Sequence, residues 1–538
     1  MKSHEREKRG MLMSKTLKRG MIGLAAIAGL AVSAVTHADA APGDSPGERL
    51  VVAFQGGATT LDPIMRSETT TYSWQRHIFD LITMQNRQGK VEPRIATAWK
   101  NIDPKTWRLT IRSGVKFQDG TPMTADDVGL SIMDAKNNPK SQVRNFVSDV
   151  SGYKVVDPTT LDVSFSAPDP IFPLHLASIP VMPEKLIQKE GREAFDKHPI
   201  GTGPYTFQSW LTEDHLDLKA WEGFWGKQPD FKYVRLESIP NDATRLAALL
   251  SGQVQVAEKV APEDFDRVKN SGHTYLTMVP GFRTIYLAMD SWRETGSPGV
   301  PAGQKNPFMD ARVRKAVYQA INVDLIAKKI FNGAITPATQ FIPPNVEGHD
   351  NSQSRFPYDL AAAKKLLAEA GYPKGFTVRL DATNDRYFQD SLVAQALGGV
   401  LQAIGLKVQV NAIPKAVFFP QVDKGSFTMY MAGWGSIDGI STYDAMFHCR
   451  DKEHGFGHVN REHFCDASAD QEMEKAATTF DDAQRVKIEQ DVYAKVDREK
   501  IAYVPLYYEN VIAGLSNTVQ YEARPDELIL AWEMTRKK

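Results

Sequence analysis

The chain has almost no cysteine: Cys449 and Cys465 are the only two in 538 residues. That scarcity excludes a disulfide-built scaffold and any cluster of many thiolates. Positive charge is in no surplus either, with 64 Lys and Arg against 65 Asp and Glu. A protein that neutralises phosphates needs such a surplus, so the balance argues against nucleic acid as the main partner. No apolar run long enough to cross a bilayer follows residue 40. Neither a P-loop nor a G-x-G-x-x-G is present. His454-Gly455-Phe456-Gly457-His458 spaces two imidazoles like a zinc hydrolase helix, but it carries two glycines and lacks the glutamate base. These absences point away from an enzyme and imply no cofactor.

What is present begins with an address. Lys15, Lys18 and Arg19 precede an apolar run from Met21 to Val35, followed by Ala38-Asp39-Ala40. Basic start, apolar middle of about fifteen residues and an A-x-A end describe a signal peptide over residues 1–40 rather than a membrane anchor. No cysteine lies near the cleavage point to take a lipid, so a free periplasmic protein starting near Ala41 is expected. Roughly 500 residues remain, more than one core fills, which predicts two or three domains. At 42% hydrophobic and 24% charged, the composition is that of an ordinary globular protein.

Cys449 and Cys465 share a short window with His448, His454, His458 and His463. In an oxidising compartment the pair reads as a local disulfide. Imidazoles beside thiols also suit a metal, although the spacing matches no closed zinc pattern, and free thiols are a third reading.

Strand-like and helix-like segments alternate along the chain, which predicts an α/β fold. Arg49 to Phe54, Trp107 to Arg112, Thr160 to Phe165 and His215 to Trp221 have the period or density of strands. Asp242 to Leu250, Asp359 to Ala370 and Asp390 to Ile404 read as helices, the first two stopped by Gly252 and Gly371. Longer helices are predicted over Arg312 to Phe331 and over Asp481 to Lys500, and strands over Lys407 to Ile413, Phe427 to Trp434 and Ile501 to Tyr508. The glycines and prolines of Ser297 to Pro307 suggest a domain boundary.

Several blocks resemble the peptide/nickel-type substrate-binding proteins, family 5 of the bacterial extracellular solute-binding proteins. They are Thr60-Leu61-Asp62-Pro63, the stretch Trp107 to Val128, Pro199 to Tyr205 (P-I-G-T-G-P-Y), Arg245 to Gly252, Pro307 to Ile321 and Tyr358 to Gly375. Their order along the chain is that of the family. The glycines of these blocks serve tight turns and close packing more often than ligand contact.

The resemblance implies a two-lobed periplasmic binding protein fold with an extra domain inserted in the N-terminal lobe. Carried over, lobe 1 takes 41–82, 200–295 and 512–538, the insertion 83–199, and lobe 2 takes 296–511, with crossings near 290–300 and 505–515. It also implies capture of a di- or oligopeptide by hinge closure, and delivery to the permease subunits of an ABC importer at the inner membrane by a monomer. Dipeptide-type members hold the peptide ammonium with an aspartate after a Gly-Trp pair. Here Gly433-Trp434 is followed by Asp438, which lies one residue further from the tryptophan than in those members, with Asp444 as the fallback. Arg386 resembles the arginine that grips the carboxylate end, and Trp434 and Tyr205 are candidates for the walls. The alternatives are another solute, such as a nickel chelate, a glutathione-like peptide, an opine or a sugar derivative; a metal-dependent hydrolase; and a sensory or chaperone-like clamp.

Overall fold

The computed structural model describes residues 48–66 and 68–537, so the expected signal peptide lies outside the described residues. Among these, no helix is long and apolar enough to cross a membrane. The core of the architecture is one 11-stranded sheet. From one edge its strands run Lys407–Ile413, Thr377–Thr383, Met429–Gly435, Thr274–Met289, Tyr503–Ser516, Val256–Glu258, Arg49–Phe54, Tyr233–Ser238, His215–Ala220 and Tyr205–Leu211, with Ile335–Pro337 paired beside Tyr503–Ser516. A separate four-stranded antiparallel sheet is built from Ala96–Asp103, Thr106–Ile111, Thr160–Phe165 and Val150–Asp157.

The strands form where side chains can be buried on a pleated surface. Arg49–Phe54 pairs parallel with a neighbour on each side and buries most of its residues, as a central strand does. Thr160–Phe165 buries every second residue, because only one face of the small sheet packs on the core. Helix Leu360–Glu369 starts where the Asp359 carboxylate accepts the Ala362 N–H at 2.9 Å, and Ala363 and Leu367 bury one face. Helix Ala125–Asn137 opens on a capping box between Thr124 and Asp127.

Separate hydrophobic cores flank the middle of the large sheet. One gathers Leu50, Trp74, Leu236 and the apolar face of the small sheet. Two others, around Leu380 and Val504 and around Tyr443 and Tyr503, cover the opposite half. Each fully buried Val, Leu or Ile contributes about 1.5–3 kcal/mol relative to exposure. Each half of the sheet therefore has its own packed interior.

The halves are joined by the two long strands, Thr274–Met289 and Tyr503–Ser516, which pair antiparallel with each other. Their register slips between Pro280 and Thr284. The cause is local: Pro280 has no N–H to give, and a side chain on Gly281 would come within 2.9 Å of the Glu509 carbonyl. A ladder interrupted in this way is the natural place for the halves to bend relative to each other.

The structure corrects three expectations. Arg312 to Phe331 is two helices, Ala311–Ala320 and Val323–Lys329, because Ile321 is extended and the Asn322 side chain caps the second by accepting the Leu325 N–H at 2.9 Å. Asp481 to Lys500 is α-helical only over Asp482–Ala494 and widens into a π-turn at Lys495–Glu499. Residues 290–300 do not cross between halves, since the first long strand ends at Met289 and Ser297 then folds back to donate to the Asp290 carboxylate at 2.9 Å.

Candidate ligand-binding crevice

Two cavities open where the halves of the sheet face each other. The larger, about 500 Å³, is bounded by Glu258 and Arg524 on one side and by Arg386 and Tyr387 on the other. The smaller, about 310 Å³, lies between Arg76 and Trp532 on one side and Gly435, Ser436 and Ile437 on the other. Arg283, Arg524, Glu527 and Leu528 line both, so the two are parts of one crevice.

Most of its charges are committed. Arg283 reaches Glu509 at 3.0 Å and Glu527 at 3.8 Å, tying a long strand to the C-terminal segment. Arg524 is clasped by Asp526 at 2.6 Å and Glu533 at 2.8 Å. In the smaller cavity Asp80 accepts from Arg94 and, at 2.8 Å, from the Trp225 indole.

Six charged groups that line the crevice have no ion pair among the described residues, namely Arg76, Glu258, Lys259, Asp385, Arg386 and Lys415, and three of them stand out. Arg386 is exposed and lies 5.3 Å from the Tyr387 ring centre, a cation held against an aromatic face. Glu258 is buried, and its carboxylate accepts only the Gln55 N–H at 2.8 Å. Arg76, at the C-terminal end of helix Thr69–Gln75, is 6% exposed, and its Nε and Nη1 have no hydrogen-bond partner. Burial pulls the Arg76 guanidinium down to about 10.

Of the residues expected at the site, Arg386 alone lines either cavity. Asp438 caps helix Gly439–Met446, accepting the Ser441 N–H at 2.6 Å, behind the wall that Ser436 and Ile437 present. Burial raises its proton affinity, and His175 pulls it partly back. Asp444 lies within that helix, lines neither cavity, and is pushed up to about 7 by burial. Tyr205 is fully buried and donates to the Phe231 carbonyl at 3.1 Å, so it packs the first core. A side chain on Gly433 would sit 2.6 Å from Ile285 Cδ1, and its carbonyl accepts the Tyr387 hydroxyl at 3.3 Å. Trp434 pairs with Thr284 in the sheet and packs on the third core. Gly201 and Gly203 are packing glycines, since side chains there would meet the Ile78 carbonyl at 2.2 and 2.6 Å.

Glu258, Arg76 and Ser436 went unseen in the sequence. Glu258 stands beside Lys259 in V-Q-V-A-E-K-V, and Arg76 beside Gln75 and His77 in W-Q-R-H-I-F, so neither carries a signal in the sequence that marks it as a site residue. Cys449 and Cys465 are bonded, closing a loop across a sequence separation of 16. The one metal-like grouping among the described residues is these two sulfurs with Asp470, and the disulfide consumes both. The histidines of that window disperse: His448 contacts Glu474 at 3.3 Å, His454 Asp451 at 2.7 Å, His458 the Gly455 carbonyl at 3.3 Å, and His463 stacks on Trp292 at 4.2 Å.

The chain matches the family model for bacterial extracellular solute-binding proteins, family 5 middle, over residues 90–454. It is 26% identical over 490 residues to the glutathione-binding protein GsiB of Salmonella typhi, covering 89% of this chain and 92% of that one. Its fold is similar to HbpA2 from Haemophilus parasuis, with a TM-score of 0.80 at 21% identity, covering 91% of this chain and 100% of that one. It is also similar to the unliganded open form of the periplasmic murein tripeptide binding protein MppA, with a TM-score of 0.77 at 20% identity, covering 91% of this chain and 98% of that one. A crevice between two separately packed halves, two connecting strands and these likenesses agree: the chain belongs to family 5 of the bacterial extracellular solute-binding proteins, with their two-lobed fold.

Proposed function

We propose that the protein is a periplasmic clamp for a short peptide, which it delivers unaltered to the permease of an ABC importer. The carrying observation is the crevice itself, which offers an uncommitted guanidinium, Arg386, and a buried carboxylate without a cation, Glu258, to one ligand. A peptide with free ends supplies the complementary pair. Its carboxylate takes the forked donors of Arg386, and its ammonium neutralises Glu258, whose burial makes an unpaired charge costly. The names of GsiB and MppA, a glutathione-binding and a tripeptide-binding protein, support a ligand of about this size. On this reading lobe 1 comprises 41–82, 200–280 and 512–538, the insertion 83–199, and lobe 2 281–511, with the first crossing at the interrupted register after Pro280 rather than at 290–300.

Closure follows from binding only if contacts are stronger in the closed form. A ligand touching Glu258 on one half and Arg386 on the other meets that condition. Asp438 then holds the loop that walls the smaller cavity, by capping the helix behind it. Free-ended tripeptides should raise the melting temperature in proportion to the logarithm of their concentration; blocking the amine should remove the shift and blocking the carboxylate should reduce it. Glu258→Gln should remove the sensitivity to a blocked amine while Asp438→Asn keeps it. The opposite pattern would move the ammonium to Asp438. Peptides recovered hydrolysed, or no shift with any of them, would end the proposal.

A further inference from the structure

The smaller cavity contains an electrostatic imbalance that the larger does not. Four arginines line it, and three have carboxylates at ion-pair distance: Arg94 on Asp80, Arg283 on Glu509, Arg524 on Asp526. The fourth, Arg76, has none among the described residues. The two carboxylates that attract it, Asp526 and Asp80, are those already engaged by Arg524 and Arg94. Its outer contact is the face of Tyr72, 5.0 Å away, which leaves the planar edge of the guanidinium free.

From the opposite half, Ser436 meets the same cavity. Its N–H donates to the Phe282 carbonyl at 2.8 Å, which fixes the backbone, while its fully buried hydroxyl has no partner. A buried charge and a buried hydroxyl left unsatisfied are each unfavourable, and folded proteins keep such groups where something else completes them. The Trp532 indole N–H, which lines the same cavity, is unpartnered as well, and such donors approached from opposite lobes call for an acceptor that carries negative charge.

We propose that a second carboxylate of the ligand occupies the smaller cavity on Arg76, with Ser436 closing onto it. This rests on the peptide reading above and narrows it: the solute is an acidic short peptide. One carboxylate lies on Arg386 in the larger cavity and a side-chain or additional carboxylate lies on Arg76 in the smaller.

The experiment is titration calorimetry of the whole protein with paired tripeptides that differ only by Glu or Gln at one position, tested at each position in turn. The wild type should bind the Glu member of at least one pair roughly thirtyfold or more tightly than its Gln partner, as expected for a desolvated charge pair. Arg76→Gln should abolish that preference, so that the Glu and Gln members of each pair bind alike. Arg76→Lys should retain part of it. Because Arg76 is buried, Ser436→Ala serves as a second variant that spares the cation, and it should lower the preference several-fold. Peptides bound equally well with Glu or Gln at all positions, or an unchanged preference in Arg76→Gln, would overturn the acidic-ligand inference and leave the peptide clamp standing. If no tripeptide binds the wild type, the clamp reading itself fails, and this inference with it.

Discussion

The two arginines proposed to meet ligand carboxylates are held in opposite ways. Arg386 is exposed, stacked on Tyr387, and solvated wherever it is not in contact. Arg76 is buried, with two of its nitrogens unpartnered. The exposed cation costs the free protein little and therefore gains little when water is exchanged for a carboxylate. The buried one destabilises the free protein and regains that cost on binding. Position in the crevice, rather than residue type, decides how much of the affinity each arginine carries.

This contrast can be broken in several ways. Glu258→Gln should show the largest loss, about 2–4 kcal/mol of affinity for a free-amine tripeptide in calorimetry, because Glu258 shares the burial of Arg76 and answers the only ammonium. An undiminished affinity would show that burial is not what sets the scale. Next is the loop that follows helix Gly439–Met446, stapled by Cys449–Cys465. Replacing both cysteines by serine should lower unfolding stability by roughly 3 kcal/mol in urea, as closing a loop of this length implies.

A smaller effect is expected at Asp444, pushed up to about 7 from 3.8 by burial. Between those values the folded chain keeps a proton that the unfolded chain has released, so stability falls as pH rises through that window. Asp444→Asn should therefore raise stability by about 1–3 kcal/mol near pH 8 and leave it unchanged below about pH 4. Melting curves across pH check the sign. Arg386→Ala should weaken binding by about 1 kcal/mol, and salt should erode this contribution faster than that of Arg76, since an exposed charge is screened more. The smallest change belongs to Asp438. Alanine there should cost about 1 kcal/mol of stability through the lost cap, and asparagine almost nothing.

Much of the fold was readable because it rests on local rules. Thr160–Phe165 and Lys407–Ile413 fall where their patterns place them, and helix Leu360–Glu369 follows its aspartate cap and its glycine stop. The two long strands that join the halves were harder. Pro280-Gly281 interrupts the first, and a strand that survives such a pair does so only through its partner across the sheet, which sequence does not show. The site was less legible still. Gly433, Trp434 and Tyr205 look like ligand residues because glycines and aromatics suit a cleft, yet these same residues suit tight packing, and packing is where they are. Asp438 and Ser436 stand two residues apart on one loop, and only the turn of the backbone at Ile437 sets Ser436 against the cavity and the Asp438 carboxylate at the cap of the helix behind it. Arg76 becomes conspicuous only when every neighbouring carboxylate has been assigned to another arginine.

The central claim is mechanical: two lobes, joined by interrupted strands, shut on a peptide. Small-angle X-ray scattering of the protein with and without a saturating acidic tripeptide tests it most directly. The account predicts a smaller radius of gyration in the bound state. A radius that stays the same while calorimetry reports full binding would contradict it.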